Sequence, residues 1–328
     1  MNKLKKFYNS ISCKSNIMAF IVLLAVASIA FADKNFLSST NIVNILLKAT
    51  KNGGFLAFGM TFVILLGEID LSAGAVYAFA GVVMGLVGQI NPVLGIVAGI
   101  MTGVITGTIL GFMVTKLRIH SWIASLAMMF AVRGMISIVA HASVPIEEGI
   151  MRFASMKFLK GFLGVKAGIS IMIPILIILT LVCIYIGRCT KLGMGLYAVG
   201  GNKEAARMMG IDVNKITMIA FIFSGTIAAF SGVLLASSSG SATLSAGNVY
   251  ETYAIAMCAI GGIKLSGGEG TFAGNFFGVM IYFVINTVFT YLNGVSVNWQ
   301  SVIMGVLVLL SVSMQSEVFQ GLKLKSKK

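Results

Sequence analysis

The sequence has 328 residues, of which 58% are hydrophobic and only 10% are charged, and its mean hydropathy is +0.98. Soluble domains are about a quarter charged, so this composition excludes an ordinary soluble protein. The 24 Lys and Arg against 10 Asp and Glu give a formal net charge of +14, but the cations lie between apolar runs and at the two ends. That placement is typical of membrane topology and does not indicate a nucleic-acid partner.

Apolar runs long enough to cross a bilayer recur along the chain. One crossing takes about 20 residues, which leaves room for roughly ten spans joined by short loops. Several runs are shorter than that, which is typical of broken or re-entrant helices. The runs predict an all-α, polytopic transmembrane helix bundle with ten helices at 16–32, 53–66, 74–88, 92–115, 121–140, 168–187, 216–236, 250–263, 271–292 and 299–314.

The first predicted helix follows four lysines and ends in Ala30-Phe31-Ala32, which is similar to a signal-peptidase site. We expect an uncleaved first span, because the many apolar segments downstream insert with or without it. The sequence then divides into a basic N-terminal tail (1–15), a transmembrane domain (16–314) and a basic C-terminal tail (315–328).

Lysine and arginine, counted on alternate sides of the ten spans, indicate the orientation. With a cytoplasmic N-terminus, one side collects 16 of these residues and the other collects 7, while Arg133 falls within a span. The positive-inside rule therefore predicts that both termini are cytoplasmic.

The longest polar loop on the predicted cytoplasmic side covers residues 188–215. Within it, the sequence predicts a short helix over 203–209, with Asn202 as N-cap, Glu204 in the first turn and Gly210 in the left-handed position after the last turn. Such a helix either docks a partner or lies on the lipid surface. Its side chains are small, apolar or charged: Lys203, Glu204, Ala205, Ala206, Arg207, Met208 and Met209.

Three segments, in this order along the chain, carry a family resemblance. They are FGMTFVILLGEIDLSAGAVYAFAG, then GGNKEAARMMGIDVNKI followed by FSGTIAAFSGVLLAS, and then AIGGIKLSGGEGTFAGNFFGVM. Together they resemble the membrane-spanning permease subunits of bacterial ABC importers for ribose and other simple sugars, over about residues 40–314. The resemblance implies that residues 201–211, here named the coupling segment, contact an ATPase through Gly201, Asn202, Lys203, Glu204, Ala205, Ala206, Arg207, Gly210 and Ile211.

The resemblance also implies the partners and the location. We expect a second permease copy, identical or paralogous, and two ABC ATPase subunits that carry ATP and Mg. We also expect an extracytoplasmic sugar-binding protein that delivers substrate across a bacterial plasma (inner) membrane. The sequence has no GxxxxGK[ST] segment, so we expect no cofactor on this chain. His120 and His141 have neither a triad partner nor metal-ligand spacing, so we expect no catalytic site and no metal.

One acidic residue departs from the family pattern. Glu68 stands where relatives more often have glycine, two residues before Asp70. Without a nearby His, Cys or nucleophile the pair does not indicate catalysis, and we expect Asp70 with Ser72 to cap the helix that begins near Gly74. Candidate residues of the translocation path are Glu68, Asp70, Ser72, Tyr77, Asn275 and Asn286.

Glycine patterns and the remaining charges concern packing. A stripe of glycines four residues apart predicts close approach of a neighbouring helix, and it consists of Gly99, Gly103, Gly107 and Gly111. The segments GEIDLSAG (67–74) and GGEGTFAG (267–274) share three identities, a weak indication of an internal repeat. Three ionisable residues in or beside spans are expected to snorkel to an interface: Arg133, Glu251 and Glu269.

Two other classes of protein compete with the permease interpretation. An ion- or proton-coupled secondary transporter of a small polar solute needs no ATPase but needs a charged site near the membrane centre. Here the carboxylates cluster near predicted span ends, which disfavours that class. An intramembrane enzyme needs a catalytic constellation, which the sequence does not indicate.

Overall fold

The computed structural model describes residue 36, residues 38–158 and 168–291, and positions 302, 305, 306 and 309. These ranges contain eleven α helices, one short 3-10 helix at Ile150–Ser155 and four two-residue strands. The helices are α1 Ser39–Lys51, α2 Gly54–Ile64, α3 Ala73–Gly88, α4 Pro92–Thr115, α5 Ser121–Val139, α6 Met172–Cys189, α7 Lys191–Gly201, α8 Lys203–Met208, α9 Val213–Ser239, α10 Tyr250–Ile260 and α11 Phe272–Tyr291.

Local sequence explains where the two longest helices begin and end. The side-chain oxygen of Asn91 accepts hydrogen bonds from the first amides of α4, and Pro92 supplies a helical φ at the first position. The Asp212 carboxylate accepts a hydrogen bond of 3.0 Å from the amide of Lys215 at the start of α9. α9 ends at Gly240, whose φ of +78° is the left-handed conformation that glycine adopts without strain.

Four short strands join the loop after α5 to neighbouring elements. Strand β1 (Val144–Pro145) pairs with β4 (Ser241–Ala242), and β2 (Lys157–Phe158) pairs with β3 (Ile169–Ser170), both antiparallel. The loop is further bound to α9, because the hydroxyl oxygen of Ser237 accepts a 2.9 Å hydrogen bond from the amide of a loop residue. The fold is therefore mostly helical, as the sequence predicts, and its strands are two-residue pairs in the loops.

α9 occupies the centre of the bundle, where it packs against α2, α3 and α4. In its most apolar stretch 61% of the residues are buried, against 22% in α5. The α4–α9 contact is formed by the predicted glycine stripe: a Cβ on Gly103 would lie 2.1 Å from the carbonyl oxygen of Gly225. A Cβ on Gly107 would lie 2.5 Å from the carbonyl oxygen of Phe221. The predicted close approach of a neighbouring helix is confirmed.

Within the part of the chain that the structure describes, four helices are long and apolar enough to cross a membrane, namely α4, α5, α6 and α9. α2, α3 and most of α11 are apolar but shorter. Large apolar side chains lie exposed along α4, α5 and α6, where a lipid phase would cover them; they include Val97, Ile105, Phe112, Phe130, Ile138, Ile178 and Leu181. The chain is therefore an integral membrane protein with a helical bundle.

The predicted helix bounds need several corrections. The helix predicted at 168–187 begins later, at Met172, because strand β3 precedes it. The helix predicted at 216–236 extends at both ends, since Asp212 caps it and glycine stops it only at 240. α1 and α7 were not predicted. The helices at 16–32 and 299–314 and both terminal tails lie outside the described residues, apart from four helical positions between 302 and 309.

Candidate functional site

The coupling segment contains the short helix that the sequence predicts. α8 covers Lys203–Met208, one residue less than expected. The side-chain oxygen of Asn202 accepts a 3.0 Å hydrogen bond from the amide of Ala205, which caps the helix. Gly210 adopts φ +79°, so the chain reverses there and enters α9. Both predicted caps are confirmed, whereas the docking role of the segment stays a prediction.

α8 is exposed on most of its surface. Met208 is 90% exposed and Met209 is 67% exposed, which is unusual for large apolar side chains. Ala206 does not belong to this exposed surface as the sequence predicted, because it is fully buried against the bundle. Ile211 is half-buried, and its amide donates a 3.0 Å hydrogen bond to the carbonyl of Ala206. α8 therefore rests on the bundle through Ala206 and presents methionines outward.

Two ion pairs involve charged residues of α8. Lys203 pairs with Glu68, whose side chain is only 15% exposed and lies in the turn between α2 and α3. Arg207 pairs with Glu204 at 2.7 Å on the exposed side of the same helix. The first pair links the coupling segment to Glu68, a candidate residue of the translocation path.

The two glycine-rich turns that the sequence relates by weak repetition meet in space. The amide of Gly268 donates a 2.9 Å hydrogen bond to the carbonyl of Leu65, at the end of α2. A Cβ on Gly67 would lie 2.9 Å from the carbonyl oxygen of Ser266. Gly200, at the end of α7, fits against both turns, since a Cβ there would lie 1.8 Å from the carbonyl oxygen of Leu65. The coupling segment thus begins where the two turns touch.

Asp70 lies deeper than Glu68 and is 1% exposed. One carboxylate oxygen accepts hydrogen bonds from the amide and hydroxyl of Ser72, at 2.9 and 2.6 Å. The other accepts a 2.7 Å hydrogen bond from the hydroxyl of Ser224 on α9. Ser72 precedes α3 without a side-chain cap, so the predicted Asp70–Ser72 cap is corrected. Asp70 holds the turn onto α9.

Arg133 does not snorkel as the sequence predicted. Its guanidinium donates hydrogen bonds to the carbonyls of Leu244 and Ala246, at 3.2 and 3.0 Å, and to that of Gly74 at 3.3 Å. It therefore joins α5 to the start of α3 and to the irregular segment before α10. Glu269, by contrast, is exposed and forms a 3.1 Å ion pair with Lys264.

The remaining path candidates lie inside the bundle. Tyr77 is 1% exposed and its hydroxyl donates a 2.8 Å hydrogen bond to the carbonyl of Lys51. Asn275 is fully buried, and its side-chain amide makes no hydrogen bond to the residues that the structure describes. Asn286 is half-buried. Among the described residues, no group of three or more His, Cys, Asp or Glu is placed to bind a metal ion.

Comparison with known proteins identifies the family. Residues 41–312 match the family described as "Branched-chain amino acid transport system / permease component". The chain belongs to this ABC-importer permease family. This permease is 34% identical to the ribose import permease protein RbsC of Escherichia coli K12 over 303 residues, which cover 91% of this chain and 92% of the relative.

Two further relatives have similar coverage. The permease is 37% identical to RbsC of Bacillus subtilis over 298 residues, 90% of each chain. It is 36% identical to the L-arabinose ABC transporter permease protein AraH of Azospirillum brasilense, over 90% of this chain and 85% of that one. No solved structure matches. The resemblance to the ribose and simple-sugar permeases is confirmed.

Sequence reasoning missed two residues that organise the site of this permease. Gly200 was not distinguished from the many other glycines, although it stands at the start of the recognisable GGNKEAARMMG motif. Ser224, a polar residue within an apolar helix, was not linked to Asp70. Both owe their importance to neighbours more than 130 positions away, Leu65 and Asp70, so no local signal identifies them.

Proposed function

We propose that this permease is the transmembrane subunit of an ATP-driven ABC importer for a monosaccharide, with a ribose-type pentose as the first candidate. It would translocate sugar that an extracytoplasmic binding protein delivers. The relatives described above support a sugar, since they are named for ribose and L-arabinose, which are both pentoses. The family description names branched-chain amino acids, but the sugar permeases align over about nine-tenths of the chain.

The observation that carries the proposal is the exposed helix α8. It is capped at both ends, rests on the bundle through one buried alanine, and presents Met208 and Met209 to the outside. Flexible, polarisable methionine side chains suit a contact that changes during a cycle. A short helix held in this way, on the predicted cytoplasmic side, fits the groove of an ATPase subunit.

Three contacts would transmit a displacement of α8 to the bundle. The Lys203–Glu68 ion pair leads to the turn between α2 and α3, and Gly200 leads to the contact of the two glycine-rich turns. The cap at Asp212 leads directly into α9. When ATP and Mg close the two ATPase subunits, these contacts would shift the bundle between outward-open and inward-open states. The permease contributes no chemistry to this step.

The proposed assembly contains two permease copies, identical or paralogous, and two ATPase subunits in the plane of a bacterial plasma membrane. With both termini cytoplasmic, the coupling segment faces the ATPases and the loop after α5 faces the binding protein. The uneven distribution of lysine and arginine supports this orientation.

Two substitutions test the coupling role. Glu204→Lys reverses a charge in the first turn of α8, and Gly210→Pro forbids the positive φ that ends the segment. We expect both variants to insert in the membrane yet lose ATP-dependent sugar uptake and co-purification with the ATPase. Lys116→Gln, at an exposed position between α4 and α5, is the control.

Normal uptake by both variants would refute the docking role of α8. Uptake that collapses with a protonophore while ATP is held constant would instead support the ion-coupled secondary transporter. Solute accumulation by the purified permease alone, without nucleotide hydrolysis, would refute the importer altogether.

A further inference from the structure

A cavity of about 350 Å³ lies between α1 and α11. None of the residues predicted for the path or for coupling lines it. Cavities that bind small molecules begin at about 300 Å³, so this one has room for a single monosaccharide. It is lined by Asn41, Asn44, Leu47, Lys48, Lys51, Asn52 and Thr287.

The lining has the chemistry that sugar hydroxyls require. Each asparagine amide offers two donors and a carbonyl acceptor, each lysine offers three donors, and the threonine hydroxyl donates and accepts. A sugar hydroxyl also donates and accepts, so it can satisfy both kinds of group at once. Six polar side chains around one leucine are unusual for a helix pair in a protein with 58% hydrophobic residues.

Some lining side chains are fixed and others are accessible. The side-chain Nδ2 of Asn41 donates a 2.7 Å hydrogen bond to the carbonyl of Phe36, which fixes the position of this side chain. The ammonium nitrogen of Lys48 lies 3.5 Å from the hydroxyl oxygen of Thr287, so α1 and α11 meet across the cavity. Asn44 and Asn52 are exposed and make their polar groups available to a ligand.

The cavity adjoins a row of tyrosine rings. Lys51 lines the cavity, and its carbonyl accepts the hydrogen bond from the hydroxyl of Tyr77. From Tyr77 the rings follow one another with centroid distances of 5.5 Å to Tyr250, 6.1 Å from there to Tyr253 and 5.7 Å to Tyr282. Aromatic rings offer the apolar face on which the carbon skeleton of a sugar packs, beside hydroxyls for its oxygens.

The cavity and the coupling segment lie at opposite ends of α2. Lys51 and Asn52 precede the first residue of α2, whereas Leu65, which follows its last residue, contacts Gly200. Eleven helical residues separate the two ends by about 16 Å. A solute in this cavity is therefore on the side of the bundle away from the ATPase, and α2 connects it directly to the turn that Lys203 binds.

We propose that this cavity is a substrate-binding site for an uncharged polyhydroxyl solute of monosaccharide size, and that the tyrosine row continues it into the bundle. The proposal rests on the proposed function and deepens it, because it assigns the sugar a place that α2 links mechanically to the coupling segment. Occupancy of the cavity fixes α1 against α11.

Equilibrium binding tests the site without any ATPase. Radiolabelled ribose, L-arabinose and leucine would be added to the full-length permease in lipid nanodiscs, and ATP-dependent uptake would be measured separately in the complete importer. We expect both sugars, and not leucine, to bind the wild type. Asn44→Leu and Lys51→Met should each weaken sugar binding about tenfold, since each removes a side chain that hydrogen-bonds the ligand.

Matched variants separate site chemistry from folding. Asn44→Gln keeps the amide, and Lys157→Met removes a lysine from an exposed position of strand β2, so both should bind sugar as the wild type does. Equal sugar binding by Asn44→Leu, Lys51→Met and the wild type, or a wild type that binds no sugar, would overturn the proposal. Failure of the proposed function has another signature: the sugars bind with this variant pattern, but the complete importer shows no ATP-dependent uptake.

Discussion

The ammonium group of Lys203 on α8 forms an ion pair with the carboxylate of Glu68, 135 positions earlier in the chain. Glu68 follows Gly67 in the turn between α2 and α3, so this contact adds a polar link to the glycine packing at the same place. The Lys203 side chain is 46% exposed, and the pair therefore contributes at most about 1 kcal/mol to folding. Its effect is expected in coupling more than in stability.

Charge reversal at Lys203 should impair transport, and a second charge reversal at Glu68 should restore it. Lys203→Glu places two carboxylates together, and we expect a severalfold fall in the sugar transported per ATP hydrolysed, with little change in melting temperature. Adding Glu68→Lys restores an ion pair of opposite polarity. The double variant should therefore recover much of the sugar transported per ATP hydrolysed. Lys116→Glu, an exposed lysine on the same predicted side, controls for net charge. A double variant as impaired as Lys203→Glu alone would show that the pair has no role in coupling.

Two adjacent glycines at the end of α7 should respond oppositely to alanine. A Cβ on Gly200 would meet the carbonyl oxygen of Leu65 at 1.8 Å and the amide nitrogen of Gly268 at 2.6 Å, whereas a Cβ on Gly201 meets nothing within 4 Å. Gly200→Ala should therefore cost about 3 kcal/mol or more, because backbone atoms must move. Gly201→Ala should be neutral or slightly stabilising, since alanine favours helix. Thermal unfolding in detergent measures both, and similar melting temperatures for the two variants would contradict the packing.

The buried Asp70 carboxylate should be replaceable by an amide but not by a hydrocarbon. Asp70→Leu abolishes three accepted hydrogen bonds and leaves the amide of Ser72 and the hydroxyl of Ser224 without their partner, at an expected cost of about 3 kcal/mol or more. Asp70→Asn keeps the oxygen that Ser72 binds, and its amide nitrogen can donate to the Ser224 hydroxyl, so the loss should be smaller. Chemical or thermal unfolding, together with uptake, ranks the two variants. Equal destabilisation would argue against these hydrogen bonds.

Arg133 should not tolerate lysine, although the charge is conserved. The guanidinium reaches carbonyls from two separate segments at once, around Gly74 and around Ala246, which the single ammonium of lysine cannot span. We expect Arg133→Lys to lower uptake severalfold and Arg133→Met to lower it further. Arg118→Lys, an exposed arginine between α4 and α5, should transport normally. Wild-type uptake by Arg133→Lys would show that the positive charge alone is sufficient.

Sequence patterns predicted the elements whose signals are local. The bounds of α4 agree with its apolar run because Asn91 and Pro92 fix its start. The coupling helix and its two caps were predicted because Asn202 and Gly210 act on neighbouring backbone. α1 was missed because Asn41, Asn44, Lys48 and Lys51 interrupt its apolar run, and the same residues line the cavity between α1 and α11.

The relationships that build the site were not predictable in the same way. Arg133 was expected at a lipid interface, because no neighbouring residue reveals that carbonyls more than 100 positions away accept its hydrogen bonds. The two glycine-rich turns share only three identical residues, and this weak similarity did not indicate that they touch. Long-range partners depend on how helices pack, which local patterns do not encode.

The contact between α4 and α9 has a mechanical consequence. At Gly103 and Gly225 the two backbones touch, so no flexible side chain stands between them to absorb a displacement. α9 has 27 residues and is about 40 Å long, from Asp212 next to the coupling segment to Gly240 at the far end. If the proposed ATPase displaces the coupling segment, α4 and α9 should therefore tilt together, and the displacement should reach the far end of α9 with little loss.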